Sequence, residues 1–98
     1  MGVSITPKEF SEKIRGGAVA VDVRSRMEHV SGAIPGSINI PFLDPKFLEN
    51  FEKLNREAEY VLYCETGNRS GAAQNILESI GYKKTFNLLG GFSAWKKI

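Results

Sequence analysis

Two short runs, Ala18–Val23 (AVAVDV) and Tyr60–Cys64 (YVLYC), constrain this chain more than any other feature. Both are nearly continuous in apolar residues and rich in β-branched or aromatic side chains, whereas a strand with one wet face would alternate. Runs of this kind fit strands covered on both faces, the condition of a parallel sheet between layers of helix. Each run breaks into polar residues at its C-terminal end, at Asp22 with Arg24 and at Glu65 onward.

The intervening segments supply the covering helices. Thr6, Pro7 and Glu9 form a capping box with proline at the first helical position, Phe10 and Ile14 share a face, and Gly16-Gly17 ends the element. Ser25 is placed to cap a short turn through Glu28 to Val30. Gly32 and Pro35-Gly36 mark turns before a short strand, Ser37–Ile40. Phe47, Leu48, Phe51 and Leu54 recur at three- and four-residue spacing and predict a helix over 45–55. Ala72, Ala73, Ile76, Leu77 and Ile80 form a helical stripe from near Ser70 to Gly81; Thr85–Leu88 reads as a strand, and Phe92 with Trp95 as one face of a last short helix. The pattern predicts an α/β fold, one domain over 1–98, with a mostly parallel central sheet of about five strands and helices on both faces.

Charge narrows the function. Thirteen basic and eleven acidic residues, with mixed signs along the chain, leave +2, which gives no basis for nucleic-acid or membrane binding. No apolar stretch reaches half a membrane span. One cysteine forms no internal disulfide, and the expected location is cytoplasmic. One Cys and one His are too few for a structural zinc, so no metal is expected.

The chemistry concentrates at Cys64 to Ser70. In a parallel sheet, ligands collect beyond the C-terminal strand ends, where loops enter helix N-termini. Cys64 stands at such an end; Gly67 permits a tight turn, the following helix offers unpaired N–H groups, and Arg69 offers a guanidinium fork for an oxyanion. These donors predict a reachable thiol with lowered pKa. Glu65 opposes this, so its carboxylate is expected to face solvent. Standing against this reading, a lone cysteine at a strand end is most often core filler; the company of Gly67, Arg69 and a helix start favours a reactive thiol.

Four segments in order resemble the small single-domain form of the rhodanese (thiosulfate sulfurtransferase) family. They are Asp22-Val-Arg24, Glu28 through Pro41 as a version of E-x-x-x-G-H-I-P-G-A-x-N-I-P, Cys64 to Arg69 as C-x-x-G-x-R, and Gly90-Gly91-Phe92 with Trp95 as G-G-x-x-x-W. Ala33 stands where the family usually has histidine, and His29 is not read as its replacement. The resemblance implies a rhodanese-like fold and a sulfurtransferase without metal or organic cofactor. Cys64 would be the nucleophile, taking sulfur from thiosulfate, and Arg69 would steady the anion. The loop of Glu65, Thr66, Gly67, Asn68, Arg69 and Ser70 would bind the substrate, with Asp22 and Arg24 as structural support. Cyanide or a thiol would accept the sulfur.

Other readings compete. The same persulfide would serve a relay to a protein client, and rhodanese-like domains also act as binding modules. A cysteine phosphatase or arsenate reductase needs C-x5-R, and only four residues separate Cys64 from Arg69; Asp44 is a weak candidate for its general acid. A thioredoxin-like site would need a second cysteine.

Overall fold

The computed structural model describes residues 2–98. Its elements alternate in chain order: β1 (Val3–Ile5), α1 (Pro7–Arg15), β2 (Val19–Asp22), α2 (Arg26–Ser31), β3 (Ile38–Asn39), α3 (Phe47–Phe51), β4 (Tyr60–Tyr63), α4 (Asn68–Ser79), β5 (Thr85–Leu88) and α5 (Gly91–Trp95). The five strands form one sheet in the order β1-β5-β4-β2-β3, and every pairing is parallel. The α/β fold expected from the two apolar runs is thus the fold observed, and those runs supply the two neighbouring strands β2 and β4.

Strand alternation sends successive side chains to opposite faces, and each face has its own core. Val21, Val23, Tyr60, Leu62 and Cys64 pack with Phe47 and Phe51 of α3, Ala73 and Leu77 of α4, and Tyr82. Ala20, Val61 and Tyr63 pack on the other face with Phe10 of α1 and Phe92 of α5. Cys64 therefore continues the face of α3 and α4, while alternation along β2 puts Asp22 and Arg24 toward α5.

Both capping boxes form. Thr6 with Glu9 caps α1, and Ser25 with Glu28 caps α2. Across the sheet top, the Tyr63 hydroxyl accepts from the Ile34 amide at 3.1 Å and bonds the Ser37 hydroxyl at 2.8 Å, which ties the 32–37 segment to the central strand.

Two details differ from the sequence reading. The helix expected over 45–55 spans only Phe47–Phe51. Pro45 disfavours a helical Asp44, whose Oδ1 instead accepts from the Lys46 amide at 2.9 Å. Beyond the helix the Tyr82 hydroxyl is placed against the carbonyls of Phe51 and Leu54, at 3.0 and 3.1 Å, so a tertiary partner takes up chain-end groups there. The other difference is β1, an edge strand of three residues that the sequence reading did not single out.

Candidate active site

Cys64 follows β4 directly, and the chain turns through Gly67 into α4. Gly67 has φ +111°, a conformation that glycine takes without strain, and it occupies the N-cap of α4 without a side-chain cap bond. That turn aims the Gly67 N–H at the Cys64 sulfur, 3.0 Å away. The Ser70 hydroxyl oxygen lies 3.4 Å from the same atom. Burial pushes the Cys64 thiol up, but hydrogen bonds from Ser70 and from the amides of Ser70, Gly67 and Thr66 outweigh it, and the thiol is left more acidic than usual. A thiol of pure core filler would be shifted the other way.

The sulfur is less open than the sequence suggested. Cys64 is only 1% exposed and belongs to the core cluster of α3 and α4. The reacting atom thus sits below the surface in this structure, with hydrocarbon on one side and amide donors on the other.

Arg69 lies in the first turn of α4 but does not point its fork at the sulfur. Its Nη1 and Nη2 donate to Glu28 Oε1 and Oε2 at 2.9 and 3.1 Å. Glu28 is in turn held by the α2 capping box, accepting from the Ser25 amide at 3.1 Å. The side chain of Glu65 is partly exposed but not free in solvent: it accepts from the Ser93 hydroxyl at 2.7 Å and from Arg24 Nη1 at 3.4 Å. Thr66 and Asn68 complete the turn, Thr66 contributing an amide toward the sulfur.

Asp22 and Arg24 form a buried pair on the face away from Cys64. Asp22 accepts from the Arg24 backbone N–H, Nε and Nη2, at 2.8 to 3.2 Å, and Arg24 Nη2 also donates to the Gly32 carbonyl at 2.6 Å. The guanidinium lies over the Phe92 ring, 4.4 Å from its centroid. His29 Nδ1 sits 2.9 Å from Asp22 Oδ2, so the histidine joins this support network and makes no pair with Cys64. Phe47 is buried and Phe42 packs edge-on against it, with centroids 5.2 Å apart; Phe47 lies beneath the site and not on its rim.

Two cavities flank the strand ends. The larger, about 380 Å³, opens between α2 and α5 and is bounded by Arg24, Met27, Glu65 and Phe92, on the face opposite Cys64. The smaller, about 200 Å³, is bounded by Val23, Ser25, Arg26, Leu43, Asp44 and Arg69. Val23 shares a core cluster with Cys64, so the smaller cavity is the one on the sulfur's side. Sequence reasoning missed two contributors: Asn87 of β5, which touches both Ser70 and Gly67, and Ser93 of α5, which holds Glu65. Neither carries a local signal, since each acts across the fold.

A parallel sheet with a cysteine at the end of its central strand, cradled by a helix N-terminus, defines a class of α/β domains with a single potential catalytic cysteine in the loop that follows that strand. A family model described as the rhodanese-like domain matches residues 6–98. The chain belongs to the rhodanese-like domain family. It is 35% identical over 88 residues to the thiosulfate:glutathione sulfurtransferase of Saccharomyces cerevisiae, covering 79% of this chain and 63% of that one. It is 34% identical over 98 residues to the probable adenylyltransferase/sulfurtransferase MoeZ of Mycobacterium tuberculosis, covering 98% of this chain and 25% of that protein. This chain therefore spans less than two thirds of either relative. The crystal structure of a rhodanese-related protein from Thermoplasma volcanium superposes with a TM-score of 0.86 at 33% identity, covering 97% of this chain and 91% of that one. Among the described residues, no helix is long and apolar enough to cross a membrane.

Proposed function

We propose that this protein is a sulfurtransferase that carries sulfur as a persulfide on Cys64, with thiosulfate as donor. The observation that carries the reading is the sulfur cradle, in which the Gly67 amide lies 3.0 Å from Sγ and the net effect of the loop is a more acidic thiol. The thiolate attacks the outer sulfur of thiosulfate. A new S–S bond forms to Cys64, the bond to the sulfonyl sulfur breaks, and its electron pair leaves with sulfite. An acceptor thiolate or cyanide then attacks the terminal sulfur, and Cys64 departs as thiolate. Nucleophilic catalysis here splits one transfer into two easier steps.

The loop amides of Glu65 through Ser70 hold the added sulfur, and donors fixed beforehand need no reorganisation as charge moves. Arg69, at the smaller cavity, meets the sulfonate end of the donor after exchanging part of its contact with Glu28. Asp22 and Arg24 act by fixing the strand ends. The loop length also supports sulfur over phosphate: four residues lie between Cys64 and Arg69, one fewer than C-x5-R requires. The relative named for thiosulfate and glutathione supports a low-molecular-weight thiol as acceptor. The mycobacterial relative is named as both an adenylyltransferase and a sulfurtransferase, and a protein client is the other acceptor that the same persulfide would serve.

Mass spectrometry after incubation with thiosulfate tests this. The expected result is a gain of one sulfur atom that cyanide or a thiol removes and that Cys64→Ser never shows. Absence of the adduct, together with hydrolysis of an aryl phosphate, would replace this reading with the phosphatase one.

A further inference from the structure

Asn87 lies on β5 beside the central strand, paired in register with Leu62, and is nearly buried at 9% exposure. Its amide orientation is fixed by chemistry. Nδ2 is the end that donates to the Gly67 carbonyl, at 3.2 Å, so Oδ1 is the end 2.6 Å from the Ser70 hydroxyl oxygen. An amide oxygen has no proton to give, and the Ser70 hydroxyl must therefore be the donor in that contact. The same hydroxyl oxygen lies 3.4 Å from Cys64 Sγ.

We infer that Asn87 is a positioning residue that sets the acidity of Cys64 through Ser70, by competing with the sulfur for the single hydroxyl proton. A serine hydroxyl has one proton and two lone pairs. With Cys64 as a thiol, all three groups are satisfied in a chain: S–H donates to Ser70 Oγ, and Ser70 donates to Asn87 Oδ1. When the thiol ionises, its proton leaves to solvent and the sulfur becomes an acceptor. Ser70 can then serve it only by turning its proton away from Asn87, leaving a nearly buried amide oxygen without that partner. Such a loss carries a real cost. The backbone amides of Thr66 and Gly67 have no competing acceptor of this kind, so the conflict is specific to the hydroxyl.

Charged and titratable groups around the strand ends are Arg69 of α4 with Glu28 of α2, Asp22 and Arg24 from the end of β2 with His29 of α2, and Glu65 of the loop. Their ion pairs and contacts are with one another and involve neither Ser70 nor Asn87. The inference rests on Cys64 being the working sulfur, but its test uses no sulfur donor, so either reading can fail without the other.

The test is a pH titration of thiolate ultraviolet absorbance in the whole chain. Cys64 is the only cysteine, and burial raises the pKa of Tyr60, Tyr63 and Tyr82, which keeps phenolate absorbance clear of the transition. Asn87→Ala, and the bulkier apolar Asn87→Leu as a second variant that fills the space, are expected to lower the Cys64 pKa by about half to one pH unit. Ser70→Ala raises it, and adding Asn87→Ala to Ser70→Ala produces no further shift. An Asn87 variant with an unchanged or raised pKa overturns the inference. So does the same shift persisting without the Ser70 hydroxyl, because Asn87 would then act through the Gly67 carbonyl alone.

Discussion

The guanidinium of Arg69 is engaged in parallel by the carboxylate of Glu28, at 2.9 and 3.1 Å, across 41 residues of sequence. A two-point contact of this kind satisfies the geometry that Arg would otherwise offer to a substrate anion. Both side chains remain about a third exposed, at 31% and 36%, so water and small anions compete for the pair. The cation at the mouth of the site is thus held in place and partly neutralised by the same group.

Glu28→Gln removes the competing charge while keeping a side-chain oxygen for the Ser25 amide in the α2 cap. The expected result is a KM for thiosulfate lowered by about two- to fivefold, the size of one screened surface ion pair, with little change in kcat. Arg69→Ala moves KM the other way. Steady-state sulfite release measures both, and a raised KM in Glu28→Gln would mean that the carboxylate serves chiefly to aim Arg69.

The same pair makes a pH prediction. The hydrogen bond from Arg69 leads the influences on Glu28, and although burial opposes it, the carboxyl is held down to about 2 from an ordinary 4.5. A depressed carboxylate contributes stability that is complete above its unfolded pKa and is lost as pH falls toward the folded one. The difference in urea midpoint between wild type and Glu28→Gln should be constant from neutrality to about pH 5, then vanish toward about pH 2. Added salt should shrink it, since the pair is exposed. A difference that ignores pH would assign the effect to the cap and not to the ion pair.

What the sequence made legible follows from locality. The buried strands β2 and β4 announce themselves because both faces are covered, and Cys64 stands out because an apolar run stops there against a polar turn. Capping boxes lie within four residues and can be read directly. Glu28, by contrast, is visible as a cap but not as the partner of Arg69, and Asn87 reads only as a residue in a short strand. Their hydrogen bonds span 41, 17 and 20 residues, and no periodicity encodes them. The C-terminal end of α3 escapes for the same reason, since Tyr82 reaches it from 31 residues away. The 1% exposure of Cys64 is likewise a product of packing by α3 and α4.

Arg24→Met tests the support network. Asp22 is fully buried and Arg24 is 3% exposed, so deleting the guanidinium leaves a carboxylate without its main counter-charge, with His29 still alongside. Breaking a buried pair from one side costs about 3 kcal/mol or more, well beyond the surface pair above. Urea denaturation should show a loss of that size. A loss under about 1 kcal/mol would mean that His29 and the Arg24 backbone amide suffice to hold Asp22.

Helix α5 packs its N-terminus directly against the backbone of the sulfur loop, which allows a comparison of two glycines. Phe92 and Ser93 donate their amides to the carbonyls of Cys64 and Glu65 at 2.8 and 3.1 Å. Gly91 has φ +61°, and a Cβ there would fall 2.5 Å from the Cys64 carbonyl oxygen and 2.6 Å from that of Glu65. Those are backbone atoms, so Gly91→Ala must displace either α5 or the segment carrying the thiol. Gly17 has φ +105° with nothing within 4 Å of its Cβ position, so Gly17→Ala strains the backbone at a site remote from the loop. Gly17→Ala should lose about 1 kcal/mol of stability and keep its rate of persulfide formation. Gly91→Ala should lose at least as much stability and about tenfold or more in that rate, as expected when a reacting group is displaced by a fraction of an ångström. Thermal melts and thiosulfate single-turnover kinetics on the two variants decide it: equal rates would show that α5 does not position the loop.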